Sequence, residues 1–166
     1  MRIVRTAMLA VVVLLAVPAG LRAGPLILLN AQYGAPMRAS VGIGVLLSSN
    51  GRNGSRSVEE RQMRSGLLVA GNVGKGGEQL AVGIGGLVTE GSYLLTYGFD
   101  IRGTVTRTGK SPRQATAEST YGGVEAGVTV SLLRVSAGYA RRLSGASGSD
   151  RHTLTWSVGL QLPLGW

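Results

Sequence analysis

The segment Arg151–Trp166 constrains the fold of this chain more than any other. Apolar side chains occupy every second position from Leu154 to Trp166, and the positions between them carry small or polar residues. A side-chain period of two is typical of a β-strand with one apolar face. The run is longer than the ~5–6 residues usual in soluble sheets, and it matches the ~9–11 residues of a tilted strand that crosses a bilayer.

The segment also closes on an aromatic residue in register with its apolar face, because Leu160, Leu162, Leu164 and Trp166 share one parity. It resembles the last strand of bacterial outer-membrane β-barrels, whose assembly machinery reads an alternating segment that ends on Phe or Trp. The resemblance implies the outer membrane of a Gram-negative-type bacterium as the location, and these four residues as the assembly signal. An ordinary amphipathic strand of a soluble barrel is the alternative interpretation.

The first residues resemble a secretory signal. Arg2 and Arg5 precede the apolar run Ala7–Val17, and Leu21–Ala23 offers a cleavage site, with Ala19 as an alternative. The run is too short to span a membrane as a helix. No later segment approaches ~20 continuous apolar residues, so any membrane crossing is expected to use strands. We therefore predict a signal peptide over residues 1–23 and one barrel domain over residues 24–166.

Composition narrows the chemistry of the chain. It has no cysteine, which excludes disulfides and thiol catalysis. Its formal net charge is +9, and for an exported protein a basic excess favours anionic lipid head groups over nucleic acid as the partner. His, Asp and Glu show no metal-ligand spacing. We expect no cofactor, no metal and no nucleic acid.

Period-two stretches predict eight strands and no helix-period segment in the mature chain. The expected strands are Leu26–Gly34, Met37–Ser48, Met63–Val73, Glu78–Val88, Tyr93–Thr106, Thr120–Val130, Leu133–Leu143 and the terminal segment Arg151–Trp166. The predicted fold class is all-β, an eight-stranded antiparallel up-and-down transmembrane β-barrel.

Three tight turns predict strand registers, since each brings the apolar faces of two strands together. About the turn Lys75-Gly76, the expected pairs are Leu67/Ile84 and Val69/Val82. About Glu90-Gly91, they are Ile84/Tyr97, Val82/Phe99 and Gln79/Arg102. About Ser131-Leu132, they are Val128/Val135 and Ala126/Ala137.

The opposite face carries small residues and a few charges of both signs, unlike a face washed by water. Asp100, Arg102, Glu125 and Arg134 share this polar parity. We expect them to form a polar network in the lumen of a narrow barrel, which has room for side chains but no open channel. The apolar face then meets lipid.

Loop lengths suggest an orientation with Trp166 on the periplasmic side. The turns at 90–91 and 131–132 are then periplasmic, and segments 107–119 and 144–150 lie outside. The long segment 49–62 falls on the periplasmic side, so either this loop is unusual for the class or the first strands are counted wrongly. Six cations are expected on the outer rim, where Arg pairs well with lipopolysaccharide phosphates: Arg107, Lys110, Arg113, Arg141, Arg142 and Arg151.

These features favour a non-catalytic monomer with a structural or surface-interaction role. Its expected partners are outer-membrane lipid, including lipopolysaccharide, and the outer-membrane assembly machinery. One alternative is a lipid A-modifying hydrolase that uses His152 with Ser157 and Glu125, although the His-x-Ser arrangement of such enzymes is missing. We expect His152 to be an exposed loop residue. The other alternative is a soluble periplasmic barrel that binds an apolar ligand inside.

Overall fold

The computed structural model describes residues 25–48, 62–90, 92–145 and 151–164. Eight strands lie in these ranges, as predicted, and their described ends differ from the predicted ones by no more than two residues. The strands are β1 Leu26–Ala35, β2 Arg38–Ser48, β3 Gln62–Gly74, β4 Gly77–Glu90, β5 Ser92–Thr108, β6 Thr120–Val130, β7 Leu133–Ser144 and β8 His152–Leu164. The predicted signal peptide and Trp166 lie outside the described residues.

The strands form a closed antiparallel barrel in which each strand pairs with its neighbours in sequence and β1 pairs with β8. This confirms the predicted all-β, eight-stranded, up-and-down architecture. We call the end that carries the connections 36–37, 75–76, 109–119 and 145–151 the upper end. The lower end carries the connections 91 and 131–132. Across the described ranges, no helix is long and apolar enough to cross a membrane.

Two of the three predicted registers are confirmed and one is wrong. Val69 pairs with Val82 about the Lys75-Gly76 turn, and Val128 pairs with Val135 about Ser131-Leu132. Between β4 and β5, however, Ile84 pairs with Ile101, four residues beyond the predicted Tyr97. The expected pairs Val82/Phe99 and Gln79/Arg102 are wrong for the same reason.

The cause of the error lies beside the turn. Glu90 pairs with Ser92 but Thr89 already pairs with Thr96, so the register shifts there and β5 carries extra residues that β4 does not match. The prediction assumed a two-residue turn followed by regular pairing, and that assumption does not allow for this irregularity. The resulting offset of four residues is even, and therefore every side chain keeps its predicted face.

Burial alternates along the strands with the period of two that the sequence predicts. On β7 the burial pattern begins exposed at Leu133, buried at Arg134, exposed at Val135 and buried at Ser136. On β8, Leu160 is 59% exposed whereas its neighbour Gln161 is 6% exposed. The apolar face is thus the outside of the barrel and the polar face is the inside.

The inside is layered along the barrel axis. The lower end holds an apolar cluster of Leu26, Leu28, Leu46, Leu68 and Leu87. Charged side chains fill the middle, and the upper third contains buried threonines and Tyr121, which is 1% exposed. A cavity of about 20 Å³ beside the leucine cluster has room for roughly one water molecule. An eight-stranded barrel is expected to be filled in this way.

The segment 109–119 folds onto the upper end and is held there by hydrogen bonds. The Gly109 amide donates to the Gly76 carbonyl at 2.8 Å, and the Arg113 amide donates to the Pro36 carbonyl at 3.1 Å. The Thr116 amide donates to the Tyr121 hydroxyl at 2.9 Å. The loop is therefore tied to two turns and to a buried tyrosine, and this fixes the position of its side chains.

Candidate functional site

Four charged side chains meet inside the barrel, each less than a tenth exposed. Arg134 binds Asp100 through both Nη2 and Nε, at 2.8 Å from Oδ1 and 3.2 Å from Oδ2. Arg102 binds Glu125, and its Nε lies 3.6 Å from Oδ1 of Asp100. Arg134 Nη1 lies 3.8 Å from Oε1 of Glu125. The four residues that the sequence groups by parity thus form one network with two charges of each sign.

Glycines make room for this network. Gly127 pairs with Asp100 on one side and with Ser136 on the other. A Cβ at Gly127 would overlap the guanidinium of Arg134 and lie 2.8 Å from Oδ2 of Asp100. The arginine therefore reaches from β7 across β6 to β5 over a position that has no side chain. Its two positive and two negative charges balance, and such a paired network stabilises a packed interior.

The outward face is a continuous apolar surface. Many large apolar side chains on it are between about two fifths and two thirds exposed, and they come from all eight strands. On β8 the surface extends from Leu154 to Leu164, a rise of ~33 Å at ~3.3 Å per residue. At the ~40° tilt usual in such barrels this corresponds to a band ~25 Å high.

Glu78, Arg107 and Arg141 are charged residues on outward positions at the upper end. The predicted rim cations all belong to this end. Arg107, Lys110, Arg113, Arg141 and Arg151 are exposed, and Arg142 is half-buried. Arg107 lies 4.0 Å from Glu78. Arg38 at the start of β2 and Lys75 in the β3–β4 turn, which the sequence-based prediction omitted, add two exposed cations.

One rim cation is held against aromatic rings. The guanidinium carbon of Arg113 lies 5.6 Å from the ring centre of Tyr33 and 5.3 Å from that of Trp156. Arg113 Nη1 donates to the Tyr33 hydroxyl at 2.7 Å. The next residue, Gln114, accepts a hydrogen bond from Trp156 Nε1 at 3.1 Å and, through its carbonyl, one from Thr153 at 2.6 Å. Sequence reasoning missed this arrangement, because it depends on the path of the loop.

A second pair of rings lies on the same surface. The rings of Tyr139 and His152 stack at 5.4 Å between centroids, and the Tyr139 hydroxyl is hydrogen-bonded to Nδ1 of His152. Arg141 is the strand partner of His152. The candidate hydrolase trio does not come together: His152 is exposed outside, whereas Ser157 and Glu125 are buried inside. His152 is exposed, as predicted, but it is the first residue of β8 and does not lie in a loop.

Three residues of the predicted assembly signal, Leu160, Leu162 and Leu164, point outward and are between 38% and 59% exposed. Trp166 lies outside the described residues. Within the described ranges, no group of three His, Asp or Glu side chains is arranged to hold a metal ion. Comparisons with family models, with curated proteins and with solved structures each found no match to this chain.

Proposed function

We propose that this chain is an integral β-barrel protein of a bacterial outer membrane, with a structural or surface-interaction role and no catalytic activity. One observation carries the proposal: the barrel is apolar outside and charged inside. In water this arrangement would leave large side chains such as Leu154 and Val41, 69% and 64% exposed, without an apolar environment. In a bilayer the same side chains contact acyl chains.

The dimensions and the borders of the apolar surface support the same proposal. A band ~25 Å high matches the lipid-facing belt of outer-membrane barrels. Tyr33, Tyr139 and Trp156 lie near its upper border, where amphipathic rings favour a membrane interface, and the cations of the rim lie beyond them. The proposed partners are the lipids of that membrane, lipopolysaccharide among them, and the machinery that inserts such barrels. We propose a monomer.

The packed lumen favours this reading over a soluble barrel that carries an apolar ligand. Ligand pockets commonly enclose ~300–1,000 Å³ and have mostly apolar walls. The cavity beside the leucine cluster measures about 20 Å³, and the middle of the lumen is filled by ion pairs.

Single-cysteine labelling tests the proposal, because the native chain has no cysteine. Cysteines replacing Leu160 and Val128 report on the outward band, and one replacing Ser111 reports on the exposed loop. In vesicles, the first two should react with a lipid-phase probe and resist a water-soluble maleimide, whereas the cysteine at position 111 should show the reverse. Fast aqueous labelling at all three positions, with the folded protein remaining outside the vesicles, would refute the membrane proposal.

A further inference from the structure

The upper end carries far more basic than acidic side chains. Its described cations are Arg38, Lys75, Arg107, Lys110, Arg113, Arg141, Arg142 and Arg151, and its described carboxylates are Glu78 and Glu118. No carboxylate of the described residues lies within 4 Å of Arg113, Arg141 or Arg151. A rim of this composition attracts anions, and the planar guanidinium group binds phosphate through two parallel hydrogen bonds.

Part of this rim is continuous with the apolar band. On β7, β8 and β1, which are consecutive in the barrel, Arg113 and Arg141 border an outward surface formed by Tyr33, Tyr139 and Trp156. Leu154, which pairs with Tyr139 and is 69% exposed, and Val158, which pairs with Tyr33, lie on the same face. The cations thus lie above an outward surface on which aromatic rings and aliphatic side chains alternate, which suits an anionic headgroup above an acyl chain.

The polar groups of this surface are positioned before any ligand arrives. Two ring contacts and the hydrogen bond to the Tyr33 hydroxyl hold Arg113. When the Tyr139 hydroxyl donates to Nδ1 of His152, the neutral imidazole carries its proton on Nε2. That nitrogen is then a donor, and Arg141 occupies the paired outward position on β7. Such preorganisation lowers the entropy cost of binding.

We propose that the upper outward surface of β7, β8 and β1 binds the phosphate of an anionic membrane lipid through Arg113, Arg141 and His152, with its acyl chain on Leu154 and Val158. This inference rests on the proposed function, since only a barrel inserted in a bilayer meets lipid at this surface. A membrane lipid is favoured over free phosphate as the source of the bound phosphate group, because the cations directly adjoin the exposed apolar side chains.

Trp156 provides a local probe for the test. The chain has two tryptophans, so the variant W166F leaves Trp156 as the only one. This protein is refolded into phosphatidylcholine vesicles that contain a minor fraction of phosphatidylglycerol, with bromine on the acyl chains of one lipid at a time. Brominated phosphatidylglycerol should quench Trp156 more strongly than brominated phosphatidylcholine at equal mole fraction.

Charge-removing variants test whether the preference for phosphatidylglycerol depends on Arg113 and Arg141. R113Q/R141Q in the W166F background should bind phosphatidylglycerol at least about fivefold more weakly, since each cation near an anionic lipid contributes a comparable factor. R38Q/K75Q removes the same charge on β2 and the β3–β4 turn and should keep the preference. R113K keeps the charge and should retain most of the preference for phosphatidylglycerol. Equal losses in the two double variants would overturn the site, because the effect would then reflect only net charge.

Two further outcomes separate the alternatives. Equal quenching by both brominated lipids in an inserted barrel would overturn the lipid site and leave the proposed function standing. Failure of the folded protein to insert into any vesicle would overturn both. Abolition of the preference by millimolar inorganic phosphate, at constant ionic strength, would assign the cations to free phosphate and contradict the lipid source.

Discussion

Asp100 on β5 and Arg134 on β7 are bound to each other although β6 lies between their strands. The guanidinium crosses β6 at Gly127, the strand partner of Asp100, and its Nη2 reaches Oδ1 at 2.8 Å. An ion pair between strands that are not neighbours fixes the curvature of this part of the wall, because both side chains must enter the lumen at one level. The glycine between them leaves the space through which the arginine side chain passes.

Substitution of Gly127 tests this relationship. Gly127→Ala should lower the free energy of unfolding by ~1–3 kcal/mol, the usual cost of overpacking, because its Cβ would overlap the Arg134 guanidinium. Gly71→Ala is the matched control, since a Cβ at Gly71 meets no atom within 4 Å. Urea-induced unfolding in detergent or vesicles measures both. Equal stabilities of the two variants would show that the network adjusts without strain.

A second prediction concerns the balance of charge in the lumen. Glu125→Gln leaves Arg102 without its closest carboxylate, and removing one partner of a buried ion pair commonly costs ~3–5 kcal/mol. Glu118→Gln changes an exposed carboxylate on the loop 109–119 and should have little effect. Thermal unfolding, followed by the loss of heat-modifiable mobility on gels, compares the two. Identical melting temperatures would contradict a stabilising network.

The third prediction concerns the cost of an added charge, which depends on depth in the apolar band if the barrel lies in a membrane but not if it lies in water. Leu160→Arg places a charge inside the apolar band and should cost ~2–4 kcal/mol in a bilayer, whereas Leu154→Arg near the upper rim should cost ~0–1 kcal/mol. Both leucines are more than half exposed, so a soluble barrel of the same structure would tolerate both changes. Unfolding titrations in vesicles measure the difference. A negligible cost at both positions would be incompatible with the membrane proposal.

The fourth prediction concerns assembly. Trp166→Asp should reduce the amount of folded protein in the outer membrane, because the proposed signal needs an aromatic residue in register with Leu160, Leu162 and Leu164. Trp166→Phe is the control and should assemble normally. Fractionation followed by the heat-modifiability assay gives the folded fraction. Normal levels of folded Trp166→Asp protein would remove Trp166 from the signal.

The sequence predicts those features that depend on side-chain parity alone. A period of two assigns Leu160 to one face and Glu125 to the other whatever the register, so the strands and the grouping of the lumen charges could be predicted. The offset between β4 and β5 could not, because an irregularity beside Thr89 leaves parity unchanged. The contact of Arg113 with Trp156 could not be predicted either, since it depends on how the loop 109–119 folds back over residues far away in sequence.

The pairing of β1 with β8 has a consequence for biogenesis. These strands are the most distant in sequence, and yet Ile27 pairs with Leu164 and Ala35 with Trp156. Until β8 docks, β1 and β7 each expose a row of unpaired backbone groups, which are templates for aggregation. Long-range pairing of this kind is also slow to form. Both edges stay open until β8 docks on β1, and this single event then closes the barrel and pairs both rows.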